Sequence, residues 1–274
     1  MERLKKALDL ARVERDALRL AAAPAPKPTQ RPAAVNTAET LVLCHTRIAG
    51  TEPSVLRANG VMPADCSGPT GHAFRMLRTQ VLQRLRQRNW NTLAVVSPTP
   101  GEGKTYIAAN LAIAIAGDTN HTSLLVDFNL RNPSVHQRFG IEPEVGVEQC
   151  LRGEAAVSDA LINPKEYRKL LLLPVRVPVK DSSELLASER TRQFTREVKE
   201  RYANRVALFD LPPVLGADDA LAFAPQVDAA LIVVGEERTR REDLLRCFEI
   251  LRNIPIIGTV LNGSRTDASL AYAY

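Results

Sequence analysis

An α/β fold with a mostly parallel central sheet and helices on both faces is predicted by three observations. Near-continuous apolar runs alternate with helical stretches over most of the chain, which is the pattern of strands covered on both sides. One run, Val95-Val96, passes directly into Ser97-Pro98-Thr99-Pro100-Gly101-Glu102-Gly103-Lys104-Thr105, a glycine loop that opens a helix. Two later runs, Leu124-Leu125-Val126-Asp127 and Val206-Ala207-Leu208-Phe209-Asp210, each stop at an aspartate.

The glycine loop has the layout of a nucleotide-phosphate cradle, that of a P-loop NTPase. Gly101 and Gly103 let the backbone wrap closely with its N–H groups inward, and the helix opening at Lys104 adds the positive end of its dipole. Lys104 is placed to reach the β- and γ-phosphates, and the Thr105 hydroxyl to hold Mg²⁺. Pro98 stands where the first glycine of the usual G-x-x-x-x-G-K-[ST] pattern falls. An aspartate ending one apolar strand is as readily a loop cap as a metal ligand. Two such strands downstream of a phosphate loop make Asp127 and Asp210 the metal carboxylates, delivered at strand ends. Leu211-Pro212-Pro213 then forms a rigid turn that fixes the direction in which Asp210 leaves its strand.

In chain order, residues 1–20 carry Leu4, Leu8, Ala11 and Leu18 at near-helical spacing among charges, a short amphipathic helix. Residues 21–36 hold Pro24, Pro26, Pro28 and Pro32, an extended spacer. Residues 40–66 are weakly patterned, with a strand expected at Leu41 to Leu43. The nucleotide domain is placed at 71–264, after a linker region ending at 70. It opens on a helix whose face is Phe74, Leu77, Val81 and Leu85. Strands are expected at 92–96, 123–126, 170–173, 206–209, 230–234 and 256–261, with helices at 105–116, 191–203 and 240–251. Residues 265–274 form a tail bearing Tyr272 and Tyr274.

The formal charge of +5 on 274 residues permits an anionic partner, but the excess lies on predicted helices, for example Arg84, Arg86 and Arg88, where a solvated face is its usual meaning. Nucleic acid is therefore not the expected partner. No apolar run approaches the roughly 18 to 20 residues of a membrane helix, and the first segment is charged, so the cytoplasm is the expected compartment. The four cysteines are far apart without a C-x-x-C pair, and reduced thiols are expected.

The motifs resemble those of the bacterial tyrosine kinases of capsule and exopolysaccharide loci. The likeness covers roughly residues 71–262. It rests on Pro100-Gly101-Glu102-Gly103-Lys104-Thr105 followed by Ala109-Asn110-Leu111-Ala112, on Asp127-x-Asn129-x-Arg131-x-Pro133, and on Asp210-Leu211-Pro212-Pro213-Val214-Leu215. Ser183-Glu184-Leu185-Leu186, Asp219-Ala220 and Gly258-Thr259-Val260-Leu261-Asn262 support it. The resemblance implies an ATP-dependent, Mg²⁺-requiring tyrosine autokinase. Pro100, Gly101, Glu102, Gly103, Lys104, Thr105 and Tyr106 would bind the nucleotide, with Asn262 near its base or ribose. Thr105, Asp127, Asn129 and Asp210 would form the metal environment, and Lys104, Asp127 and Asp210 the catalytic set, Asp127 polarising the tyrosine hydroxyl. It also implies phosphorylation of Tyr272 and Tyr274 between subunits of a homo-oligomer. A membrane polysaccharide chain-length (co-polymerase) protein would be the partner, holding the chain at the inner membrane, and a cognate phosphatase would reset the tail.

The chain departs from that pattern at three positions. Asn129 replaces the second acid of the Asp-x-Asp-x-Arg motif, His72 replaces the glutamate of a subunit-packing helix, and Leu211 replaces a hydroxyl residue. Two other functions share these residues. One is an ATP-binding regulatory subunit of the same system, transferring little phosphate because of Asn129. The other is a spatial-organising ATPase of the partitioning type, which carries a second lysine where Thr99 stands and lacks a tyrosine tail.

Overall fold

The structure is a computed structural model that describes residues 46–201 and 204–264. The expected helix at 1–20, the spacer at 21–36, the strand at 41–43 and the tail at 265–274 lie outside the described residues.

The chain opens with β1 (Arg47–Ala49), α1 (Pro53–Ala58) and α2 (Pro69–Arg88). It continues through β2 (Thr92–Val96), α3 (Lys104–Ala116) and β3 (Thr122–Asp127) into three short helices, α4 (Val135–Arg138), α5 (Val147–Arg152) and α6 (Val157–Ala160). Strands β4 (Ile162–Pro164) and β5 (Leu170–Leu173) lead to α7 (Ser182–Ala187) and α8 (Glu189–Arg201). The last part is β6 (Arg205–Asp210), α9 (Asp219–Phe223), β7 (Ala229–Gly235), α10 (Arg241–Ile250) and β8 (Ile256–Asn262). Each of the six expected strands is present, extended by at most one residue at either end.

One eight-stranded sheet runs β1-β4-β5-β3-β6-β2-β7-β8. Its pairs are parallel except β4 with β5. The sheet takes in chain upstream of residue 71, where the sequence pattern places the start of the domain. β1 pairs with β4, and Leu56 of α1 is buried in the same core as Phe74 and Val81. A three-residue edge strand with Arg47 and Ile48 exposed carries no amphipathic signature, which is why the pattern does not reveal it.

The pleat sorts β2 into two cores. Leu93 and Val95 join Phe74, Val81 and Leu85 of α2 and Ile107, Leu111 and Ile115 of α3. Ala94 and Val96 face the other way, toward Leu186, Phe194, Phe223, Cys247 and Leu251. Alternate side chains thus serve opposite faces, and all five residues of β2 are buried. Helix α3 is buried nearly all round, as expected of a helix enclosed between a sheet and a second helix layer. Behind the strand ends, Phe128 stands 4.6 Å edge-on from Phe223 and 5.2 Å from Phe209. Because side chains alternate, these rings fix β3 and β6 from one face while their neighbours Asp127 and Asp210 point to the other.

The start of β2 is pinned by Asp228. Its carboxylate accepts the N–H groups of Asn91 and Thr92, each at 3.0 Å, and the Thr92 hydroxyl at 2.7 Å. Lys199 completes the set at 2.9 Å. Burial alone would raise the Asp228 pKa, but the bonds from Thr92, Lys199 and Asn91 outweigh it and hold the carboxyl below its ordinary value. Replacing Asp228 by alanine strands these donors, and we expect a loss of about 2–3 kcal/mol in urea unfolding at neutral pH. A lowered folded pKa stabilises above the unfolded value and loses that stabilisation as pH falls through the folded one. The gap between wild type and variant should therefore narrow below about pH 4.

Candidate nucleotide and metal site

Helix α3 starts where β2 stops, and the seven residues between them make the cradle. Gly101 and Gly103 hold φ of +81° and +88°, a region costly for residues with a Cβ. A Cβ on Gly103 would also stand 2.1 Å from Nδ2 of Asn262. The loop is shaped from within by Glu102, which is 1% exposed. Its carboxylate accepts the Thr99 N–H at 3.0 Å, the Thr99 hydroxyl at 2.8 Å and the hydroxyl of Thr239, which follows β7. From outside, Asn262 Nδ2 donates to the Glu102 carbonyl at 2.9 Å, and Arg238 donates to the Gly101 carbonyl. Glu102 and Asn262 thus hold the loop's shape.

Lys104 is buried at the first turn of α3. Burial pushes its pKa down, with Asp210 and Glu102 pulling it back up. The Thr105 hydroxyl donates to Asp210 Oδ2 at 2.5 Å, and Ser134 donates to Thr105 Oγ1 at 3.2 Å.

The sheet order brings the two carboxylates together. β6 lies between β2 and β3, so Asp210 is in register with Val95 on one side and with Asp127 on the other. Asp127 Oδ2 accepts the N–H groups of Ser134 and Val135 at 3.0 Å each, and Oδ1 that of Asn129 at 3.2 Å. Both carboxyls are raised above their ordinary range, Asp127 by burial and then by the Asp210 charge, Asp210 by burial opposed by Thr105, Lys104 and Arg138. Asp210 Oδ1 is buried and has no hydrogen-bond partner. An orphaned carboxylate oxygen beside a second acid and a threonine hydroxyl is an all-oxygen donor set, which suits Mg²⁺. These residues fit that ion.

Gly101, Glu102, Gly103, Lys104, Thr105, Asp127, Asp210 and Asn262 therefore meet at one end of the sheet. Pro100 is exposed at the tip of the loop. The Tyr106 side chain is directed elsewhere, edge-on to Phe74 at 5.8 Å and under the Arg138 guanidinium. Asn129 is half-buried and reaches Asp127 through its backbone N–H. Leu211 is fully buried in the second core, so an apolar residue there serves packing. Arg131 donates to Ser182 and pairs with the buried Asp219 at 3.0 Å, tying the loop after β3 to α7 and α9. Tyr272 and Tyr274 lie outside the described residues.

Ser134, Arg138 and Asn59 are absent from the residues expected at the site. Ser134 carries a signal after the fact, a helix-capping residue type next to Pro133. Asn59 carries none, because its partners are 78 and 79 residues away.

No family model matches this chain. It is 26% identical over 223 residues to the tyrosine-protein kinase YwqD of Bacillus subtilis, covering 81% of this chain and 92% of that one. It is 34% identical over 200 residues to the succinoglycan biosynthesis transport protein ExoP of Rhizobium meliloti, covering 71% of this chain and 25% of that longer protein. The kinase domain of Escherichia coli tyrosine kinase ETK superposes with a TM-score of 0.67 at 26% identity, over 74% of this chain and 79% of that domain. The cell division ATPase MinD of Pyrococcus furiosus reaches 0.55 at 26% identity, over 65% and 74%. The chain thus spans nearly all of the Bacillus protein but about a quarter of the Rhizobium one.

Gly103→Ala tests the loop geometry. Alanine at φ near +88° costs about 1–2 kcal/mol, and its methyl displaces Asn262. We expect nucleotide affinity measured by calorimetry to fall far more than this stability loss accounts for, and an unchanged affinity would show that the loop is not the cradle.

Proposed function

We propose that this chain, a relative of the bacterial tyrosine kinases, transfers the terminal phosphoryl group of ATP to tyrosine hydroxyls, those of Tyr272 and Tyr274 among them. It does so in an exopolysaccharide or capsule system, together with a membrane chain-length (co-polymerase) protein. The observation that carries this reading is the row of Thr105, Asp210 and Asp127, with Lys104 beside it and a buried, unpartnered Asp210 oxygen at its centre. Kinase names among the relatives and the likeness to the ETK kinase domain support it. The succinoglycan transport relative supports the polysaccharide setting.

In this mechanism the loop N–H groups and the Lys104 ammonium hold the β- and γ-phosphates. Thr105 and Asp210 would hold Mg²⁺, with Asn129 close by, and the ion would offset charge on the phosphates. The incoming tyrosine oxygen bonds to the γ-phosphorus, the bond to the β–γ bridging oxygen breaks, and ADP leaves. Asp127, whose proton affinity is raised by burial and by Asp210, takes the hydroxyl proton. Among the described residues no helix is long and apolar enough to cross a membrane. In this reading the partner protein holds the chain at the membrane.

Asn129 favours one second reading, an ATP-binding regulatory subunit of the same system with weak phosphotransfer. The partitioning-type ATPase is supported less, since MinD superposes at 0.55 against 0.67 for ETK, and Thr99 stands where that type carries lysine. Incubation with Mg²⁺ and labelled ATP, followed by phosphopeptide mapping, separates the three: tail phosphotyrosine, bound but untransferred ATP, or hydrolysis alone.

Lys104→Met should remove nucleotide binding while leaving the fold intact, because no core volume is lost. Mixed with active protein truncated before Tyr272, this variant should gain phosphotyrosine at Tyr272 or Tyr274. If active full-length protein carries no phosphate at either tyrosine, transfer to this tail is excluded.

Asn129→Asp restores a negative charge near the metal residues with almost no change in shape. Groups at that remove from a metal are typically worth about 10–100-fold. We expect faster autophosphorylation and a lower Mg²⁺ requirement for Asn129→Asp, and a far greater loss for Asp127→Asn. Initial rates against Mg²⁺ concentration decide this, and an unchanged or lower rate for Asn129→Asp would mean that the asparagine is no handicap.

A further inference from the structure

Close to Thr105 lies a depression of about 220 Å³ lined by Asn59, Ser134, Gln137 and Arg138. It adjoins the metal residues through Ser134, whose hydroxyl is 3.2 Å from Thr105 Oγ1. Arg138 is the cation of this depression, and it is held in place. Its Nη1 donates to the Asn59 carbonyl at 2.7 Å, while Asn59 Nδ2 returns bonds to the carbonyls of Gln137 at 2.8 Å and Arg138 at 3.2 Å. The guanidinium carbon lies 5.8 Å from the Tyr106 ring centroid. The guanidinium is thus fixed by one hydrogen bond and a ring contact, and the two bonds from Asn59 Nδ2 fasten the backbone that carries it.

This guanidinium has spare capacity. Nε is buried and has no hydrogen-bond partner. Among the described residues no carboxylate makes an ion pair with Arg138. The largest influence of opposite sign is the Asp210 carboxylate, which acts on it electrostatically without forming an ion pair. A half-buried cation without a carboxylate to pair with is costly, and a planar guanidinium binds a phosphate through paired N–H groups. Ser134 adds a hydroxyl that can turn to a second acceptor.

We infer that Arg138, with Ser134 and Asn59, forms a phosphate subsite outside the glycine loop. Resting on the nucleotide-site reading above, it receives a phosphate group next to Ser134 and Thr105. Two phosphates share that chemistry: the terminal group of ATP and the ester of a phosphorylated tyrosine product.

The test measures three affinities by calorimetry in Mg²⁺ on the full chain. The probes are ADP, ATP, and a peptide of residues 265–274 phosphorylated on both tyrosines. The variants are Arg138→Ala, Arg138→Lys, which keeps the charge, and Arg138→Gln, which keeps an N–H donor for the Asn59 carbonyl. ADP reports an intact cradle and should stay within about twofold of wild type, while the affected phosphate loses roughly tenfold or more in the Ala and Gln variants and recovers partly in Lys. Loss confined to ATP assigns the subsite to the terminal phosphate. Loss confined to the phosphopeptide assigns it to the product ester. If ATP and phosphopeptide both bind the variants as wild type does, or if ADP falls in parallel with them in Arg138→Gln, the subsite is refuted. Wild type that binds no nucleotide would refute the nucleotide reading, and the subsite with it.

Discussion

Two aspartates buried side by side, Asp127 and Asp210, are the constraint around which the rest of this molecule is arranged. Removing one carboxylate from water is expensive, and placing a second next to it adds repulsion. Folding offsets this with the groups it gathers there. Three backbone N–H groups from residues 129, 134 and 135 converge on Asp127, while the Thr105 hydroxyl and the Lys104 charge converge on Asp210. The compensation is unequal. Asp127 has a bond on each oxygen, whereas one oxygen of Asp210 has none, so a cation-shaped deficit is built into the folded chain.

That arrangement needs parallel strands. Because β6 is inserted between β2 and β3, a loop, a carboxylate and a second carboxylate end in one row on the same side of the sheet. Phe128, Phe209 and Phe223 pack behind the row, so the strand ends cannot relax apart without opening an aromatic core. The loop itself is shaped by distant elements: Thr239 after β7 locks Glu102, and Asn262 at the end of β8 clasps the loop's backbone. A strand at one edge of the sheet therefore restrains the conformation of the phosphate loop at its centre.

A second anchor comes from the chain ahead of α2. Asn110 of α3 accepts the Met62 N–H at 2.8 Å and donates to the Gly60 carbonyl at 2.9 Å, while Asn59 and Arg138 exchange bonds across the same segment. Residues 59–62 are thereby fastened to both helices that border the site. The buried asparagine in the middle of an otherwise apolar helix has a partner for each of these groups, as a buried amide requires.

Six of the eight sheet strands, all but β1 and β4, the helix after the glycine loop and the identities of Gly101, Gly103, Lys104, Thr105, Asp127 and Asp210 were legible in the sequence, because each rests on local physics. Strand burial writes a continuous apolar run, a tight phosphate loop demands glycine at positive φ, and a carboxylate at a strand end stands out against that run. Other features were decided only by tertiary structure. The bond that locks Glu102 to Thr239, the clasp by Asn262, the turning of Tyr106 toward Phe74, and the entry of Ser134, Arg138 and Asn59 into the site all depend on partners far along the chain. No window of sequence contains both members of such a pair, and strand order, which sets which ends become neighbours, is a property of the folded sheet alone.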